Sequence, residues 1–148
     1  MSSNTPTELL YVIKIGGNIV DNPVLLTQCL KAFSSIQGKA ILVHGGGKLA
    51  TQLAKDLNIP QEMVEGRRIT DAETLKIVTM VYAGLINKNI VAQLQSLGVQ
   101  SMGLSGADAN LIKAHKRVHA SIDYGFVGDV DEVNTLMVDN LLQQNTSI

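Results

Sequence analysis

At 148 residues the chain has the length of one domain, and a globular chain of this size buries about 68 to 70% of its unfolded surface. Hydrophobic residues make up 45% of it with only 3% aromatics and no tryptophan, so an aliphatic core of the parallel-sheet kind is expected. The net charge of −1 gives no electrostatic footprint for nucleic acid or an anionic membrane, and the single cysteine, Cys29, excludes an internal disulfide. The segment Met1 to Glu8 is polar and lacks an apolar signal region. No uninterrupted apolar run reaches the ~18 residues of a membrane helix, so a cytoplasmic chain is expected.

In chain order, an apolar run from about Leu9 to Ile15 reads as a first strand. Asn22 then caps a helix with Pro23 at its first position, and Gly38 is its stop signal. Cys29 shares the inner face of that helix with Leu26, Leu30 and Phe33 and reads as core. A second strand over about Lys39 to Val43 runs through three glycines into a helix ending near Leu57, before Pro60. Met63 to Ile69 reads as a short strand or hairpin. Thr70 with Glu73 forms a capping box that opens a long helical pattern reaching Leu97, with Gly98 as its end. Its apolar positions cover more than one stripe, which predicts burial on two sides, one of them against a second subunit.

After that helix come a strand near Val99 to Leu104, a loop from Ser105 to Asn110, and alternation from Leu111 to Ala114. Tyr124 to Val133 reads as a hairpin, and Asn134 caps a last helix through Leu142. Strands alternating with helices predict an α/β sandwich with a largely parallel central sheet, whose ligands lie beyond the carboxyl ends of the strands.

Two of those carboxyl ends carry glycine-rich anion devices. Lys14-Ile15-Gly16-Gly17 closes the first strand, and His44-Gly45-Gly46-Gly47 closes the second. Glycine lets backbone N–H groups approach an anion, and a lysine ammonium adds a point charge beside them. Gly16-Gly17 alone suits a plain turn as well as a phosphate loop. Three consecutive glycines cost backbone entropy that a turn does not require, so Gly45 to Gly47 weigh further toward a ligand. A Walker loop is excluded because Leu49 stands where Ser or Thr belongs, and the dinucleotide fingerprint is absent. His44 reads as a support for its loop, and Lys88 as a surface charge. Asp129, Asp131 and Glu132 read as a solvated hairpin face, and no metal site is expected from the histidines.

Lys14-Ile15-Gly16-Gly17, His44-Gly45-Gly46-Gly47, Gly66-Arg67-Arg68-Ile69-Thr70, Asn87-Lys88, Ser105-Gly106 and Gly125-Phe126-Val127-Gly128-Asp129-Val130 stand in the order and spacing of one family. The chain resembles the N-terminal half of the amino-acid kinase family, in the branch that phosphorylates N-acetylglutamate. The resemblance implies a three-layer α/β sandwich truncated before its ATP-binding half, with residues 1–148 forming the acylamino-acid lobe. It implies transfer of a phosphoryl group from ATP, with Mg²⁺, to the γ-carboxylate of N-acetyl-L-glutamate. It also implies a homodimer, an isolated chain that does not turn over, and ATP and Mg²⁺ held mostly by the second half.

Role by role, the resemblance makes Lys14 the lysine that stabilises the transferring phosphoryl group. Gly16 and Gly17 become the loop facing the nucleotide phosphates. Gly46 and Gly47 become contacts to the acylated glutamate, and Arg68 the clamp on its α-carboxylate. Arg67 stands where many relatives have an apolar residue; it reads first as a solvated hairpin charge, and the other reading is a second arginine beside the clamp that would suit a more anionic acyl group such as succinyl. A non-catalytic binding module of the same fold is the rival from another class.

Overall fold

The computed structural model describes residues 9–148, and the expectation placed on Met1–Glu8 lies outside them. Strands β1 (Leu10–Ile15) and β2 (Lys39–His44) pair in parallel, in register from Leu10 opposite Lys39 to Ile15 opposite His44. Between them run a single turn, α1 (Gly17–Val20), and the helix α2 (Pro23–Ser34). Asn22 caps α2 as expected, its Oδ1 accepting from the amides of Val24 at 3.0 Å and Leu25 at 3.1 Å. Pro23 sits where a missing N–H costs nothing.

Strand alternation sends Ile13, Ile15, Ala40 and Leu42 to one face of the pair, where they join Leu26, Leu30 and Phe33 of α2. Ala50 and Ala54 of α3 (Gly47–Asp56) complete this part of the core. Cys29 packs against the same cluster. The opposite face carries Leu10, Val12 and Val43, which remain 50%, 63% and 45% exposed.

The expected strand at Val99 to Leu104 shrinks to one parallel bridge between Ser101 and Ser147. There Ser147 N donates to Gln100 O at 2.9 Å and Met102 N to Ser147 O at 2.9 Å. On its other side Ile148 pairs with β2, Leu42 N donating to Ile148 O at 2.7 Å and Ile148 N to Ala40 O at 3.3 Å. Residues 147–148 thus lie between β2 and residues 100–102 and widen the parallel ladder.

The long helix is continuous over Ala72–Ser96. It comprises α4 (Ala72–Thr79), a π-helical stretch Met80–Ile86, and α5 (Asn87–Ser96). Its most deeply buried apolar residues are Ile77, Val81, Ile86, Ile90 and Leu94. The single step of five, from Val81 to Ile86, falls in the π stretch and keeps one buried face in line. By length and composition the helix is apolar enough to cross a bilayer, and in this fold its apolar residues pack with α2 and α3.

The cap of this helix is Asp71, one residue later than expected. Thr70 is already engaged, its N donating to Tyr124 O at 2.9 Å and its O accepting from Phe126 N at 2.7 Å. Asp71 Oδ1 accepts from Thr74 N at 2.7 Å instead. Just before it, β3 (Met63–Val64) and β4 (Arg67–Arg68) form a short hairpin. Its turn residues Glu65 and Gly66 have φ of 51° and 77°, the two positive values that a twisted two-residue hairpin requires.

The second hairpin differs from expectation. Tyr124 to Val133 does not fold on itself; β6 (Gly128–Val133) pairs antiparallel with β5 (Ile112–Lys116). The acidic face of β6 is paired across this ladder: Arg117 with Asp129, His115 with Asp131 at 2.6 Å, and Lys113 with Glu132 at 3.4 Å. The Arg117 guanidinium holds the Asp129 carboxyl below the usual carboxylate range. The last helix, α6 (Thr135–Gln143), is capped by Asn134 as expected, Oδ1 accepting from Met137 N at 3.1 Å.

The Asp71 cap gives the fold an acid-sensitive joint. The hydrogen bond from the Thr74 amide lowers the Asp71 carboxyl below its ordinary range. A depressed native value means the cap's stabilisation is complete above the ordinary carboxylate pKa and is lost as pH falls through the native one. Asp71→Asn retains a capping oxygen and cannot titrate, so it is expected to match the parent near neutrality and lose less stability on acidification. Denaturant unfolding at a series of acidic pH values measures this, and parallel pH curves for the two proteins would contradict it.

Candidate functional site

The register of β1 and β2 builds the site. Ile15 opposite His44 is the last pair, so the turn at Gly16-Gly17 and the turn at Gly45 to Gly47 leave the sheet side by side at its carboxyl end. Gly16 O accepts from the amides of Ile19 at 3.0 Å and Val20 at 3.2 Å, closing α1. A β-carbon at Gly16 or Gly45 would meet open space, so nothing in the fold shields these two backbones. A direct contact ties the two turns together, Lys48 Nζ on the first turn of α3 donating to Asn18 Oδ1 at 3.1 Å.

Gly46 is required for a different reason. A β-carbon there would overlap Ile86 Cδ1 and stand 3.1 and 3.2 Å from the Tyr82 ring. The π stretch therefore packs directly beneath the glycine turn, and a side chain at this position would have to push the Ile86 Cδ1 methyl and the Tyr82 ring aside. Gly47 follows as the first residue of α3, whose opening amides have no partner within the helix.

Arg68 reaches the same point from β4. Its Nη2 donates to Gly47 O at 3.2 Å and to Thr51 Oγ1 at 2.8 Å, and its Nη1 donates to Gln61 Oε1. The structure thus brings Arg68 together with the glycine turn that the sequence paired it with. Arg67, next along a strand, points to the opposite face, where its charge contributes to holding the Asp129 carboxyl low. It does not stand beside the clamp. Lys14 also stands apart: alternation puts it on the open face with Leu10 and Val12, and it has no hydrogen bond or ion pair among the described residues.

Behind the turn, His44 has its Nδ1 3.0 Å from Gly45 O and its Nε2 3.4 Å from Asn87 Nδ2. The arrangement suits the tautomer in which Nδ1–H donates to Gly45 and Nε2 accepts from the amide, so His44 supports the loop as expected. Asn87 is buried, and its Oδ1 has no hydrogen-bond partner among the described residues. It faces a cavity of about 310 Å³ between β2, the long helix and residues 101–106, whose polar lining includes His44 and Ser105. Lys88 is more than a surface charge, since its Nζ donates to Gly103 O at 2.9 Å. Asp108 closes the following loop by accepting from Ser105 N at 2.6 Å and Oγ at 2.8 Å, and these bonds lower its carboxyl.

Sequence reading assigned no role to Gln61, Thr51, Thr74 or Tyr82, and it gave no weight to Asn87. Thr51 had a usable signal, since a hydroxyl four residues beyond Gly47 shares its helix face. The others depend on contacts between elements far apart in sequence. Chemically, the assembled group has the elements to hold an anion: a guanidinium, the opening turn of a ten-residue helix and a glycine turn meet at one sheet end.

Known proteins similar to this chain fall in one family. The chain is 61% identical over 136 residues to an acetylglutamate kinase of Cytophaga hutchinsonii, covering 91% of this chain and 52% of that protein. It is 58% identical over 137 residues to an acetylglutamate kinase of Parabacteroides distasonis, covering 93% and 54%. The chain therefore spans about half the length of the curated relatives it matches. Among solved structures, smu.665 from Streptococcus mutans UA159 superposes with a TM-score of 0.79 at 24% identity, over 93% of this chain and 56% of that one. That likeness speaks for the fold. Residues 10–148, from the first residue of β1 through the pairing at Ile148, match the model of the amino acid kinase family, and the chain belongs to that family.

Proposed function

We propose that this chain carries the acylamino-acid site of an acetylglutamate kinase. In the proposed reaction the γ-carboxylate of N-acetyl-L-glutamate attacks the γ-phosphorus of ATP. The bond from that phosphorus to the bridging oxygen breaks, and N-acetylglutamyl 5-phosphate and ADP leave. The observation that carries this reading is the meeting of Arg68 with Gly47 at the start of α3. The names of the Cytophaga and Parabacteroides relatives support the substrate.

The attacking carboxylate is ionised at neutral pH, so no general base is needed and positioning with charge neutralisation carries the catalysis. Arg68 holds the α-carboxylate. Both Nη2 hydrogens are engaged in the present structure, and the longer contact, to Gly47 O at 3.2 Å, is the one a carboxylate displaces to form a side-on fork with Nε. The amides of Gly46 and Gly47 serve the acylated glutamate, those of Gly16 and Gly17 the nucleotide phosphates, and Lys14 the charge growing on the phosphoryl group. Most of the ATP site is assigned to the part of the relatives outside this match. Among the described residues no three His, Cys, Asp or Glu side chains converge on one point.

An N-succinylglutamate kinase was the other substrate reading, resting on a second arginine beside the clamp. With Arg67 turned toward Asp129, acetyl is the acyl group adopted. The same reading makes the protein a cytoplasmic homodimer. Met80 and Leu85, 51% and 62% exposed on the long helix, form the proposed self-contact.

Calorimetry with N-acetyl-L-glutamate tests the site. Arg68→Ala is expected to weaken binding by about 1.5 to 3 kcal/mol, the scale of a lost charge-assisted contact, while Lys14→Ala leaves it unchanged. Equal affinity in the parent and Arg68→Ala would contradict the assignment. Sedimentation equilibrium tests the assembly: the parent is expected to run as a dimer and Leu85→Glu as a monomer, and a monomeric parent would remove the proposed contact.

A further inference from the structure

Arg68 is held from two sides. Toward α3 it meets Gly47 O and Thr51 Oγ1, the groups nearest the proposed ligand. Away from α3 its Nη1 donates to Gln61 Oε1. Gln61 is itself fixed: its Nε2 donates to Thr74 Oγ1 at 3.1 Å and to Pro60 O at 3.0 Å. Two acceptors at the nitrogen settle which way the amide points, so its oxygen must face the guanidinium. Thr74 is 1% exposed in the first turn of α4, with its own amide bound by the Asp71 cap. A continuous path of hydrogen bonds therefore runs from a helix cap through a buried hydroxyl and an oriented amide to the arginine head.

We infer that Gln61, anchored by Thr74, is a positioning residue that aims Arg68 at its carboxylate. The inference rests on the reading of Arg68 as carboxylate anchor. An arginine can offer a carboxylate either its end, Nη1 with Nη2, or its side, Nε with Nη2. Gln61 takes up donor capacity at Nη1, the nitrogen on the far side from the opening turn of α3, and so favours an approach along the Nη2 side that meets Gly47 and Thr51. It also keeps the guanidinium in place when the contact to Gly47 O is given up to the ligand. A flexible side chain held this way has less rotamer freedom to lose on binding.

The test uses the 148-residue chain and has a readout that needs no ligand. In nitrogen-resolved NMR of the parent, slow rotation of a pinned guanidinium is expected to keep the Arg68 Nη protons resolved. Gln61→Leu should merge them, and Gln61→Glu, which restores an acceptor, should keep them apart. Resolved Arg68 signals in Gln61→Leu, with its circular dichroism unchanged, would overturn the inference, as would merged signals in a folded Gln61→Glu. By calorimetry with N-acetyl-L-glutamate, Gln61→Leu is expected to bind about tenfold more weakly than the parent, with Gln61→Glu close to parental. A Gln61→Leu protein that binds as tightly as the parent would overturn the positioning role even if the NMR signals merged. Arg68→Ala binding as tightly as the parent would instead sink the carboxylate reading, while the ligand-free NMR still decides whether Gln61 aims Arg68.

Discussion

The close approach of the long helix to Gly46 is the constraint on which the site depends. A β-carbon at that position would overlap Ile86 Cδ1, and the Tyr82 ring lies against the same atom position. Because Gly46 yields this space, the helix can seal the underside of the glycine turn and still keep Ile77, Val81, Ile90 and Leu94 in the core. The π stretch is the backbone's solution to both demands. In a regular α-helix five residues at about 100° each would leave Ile86 about 140° round from Val81, and the wider π turn brings the two back toward one face.

From that seal the functional geometry follows in order. A fixed turn at Gly46 fixes the start of α3 at Gly47. That start fixes Gly47 O and Thr51 Oγ1, and these receive Arg68 from a hairpin more than 15 residues downstream. On the other flank, the parallel register sets Gly16 beside Gly45, and Lys48 bridges to Asn18. The two turns are thus neighbours by strand pairing, while Arg68 joins them by side-chain reach. Lys14 is placed by alternation alone, on the open face, which separates its proposed duty to phosphate from the duty of Arg68 to carboxylate.

Much of this was legible in the sequence. Asn22 with Pro23, Asn134, the short hairpin within Met63 to Ile69 and the two glycine runs each announce themselves through local chemistry, and each stands where local chemistry put it. The failures share one cause, which is competition from distant partners. Thr70 reads as a cap until its backbone is claimed by residues 124–126. The second hairpin reads as self-contained until β5 takes β6 as its partner. Gln61 gave no signal at all, since an amide beside a proline acquires meaning only when Thr74 and Arg68 are brought to it from elsewhere.

The central claim is that Arg68 and the turn at Gly46-Gly47 form one carboxylate site on this chain. Amide and guanidinium chemical-shift mapping during titration with N-acetyl-L-glutamate tests it most directly. The account predicts saturable shifts concentrated at Gly46, Gly47, Thr51 and the Arg68 side chain, with the β5–β6 hairpin unmoved. Shifts centred on β5–β6, or a saturable response that leaves Gly47 and Arg68 unchanged, would contradict it.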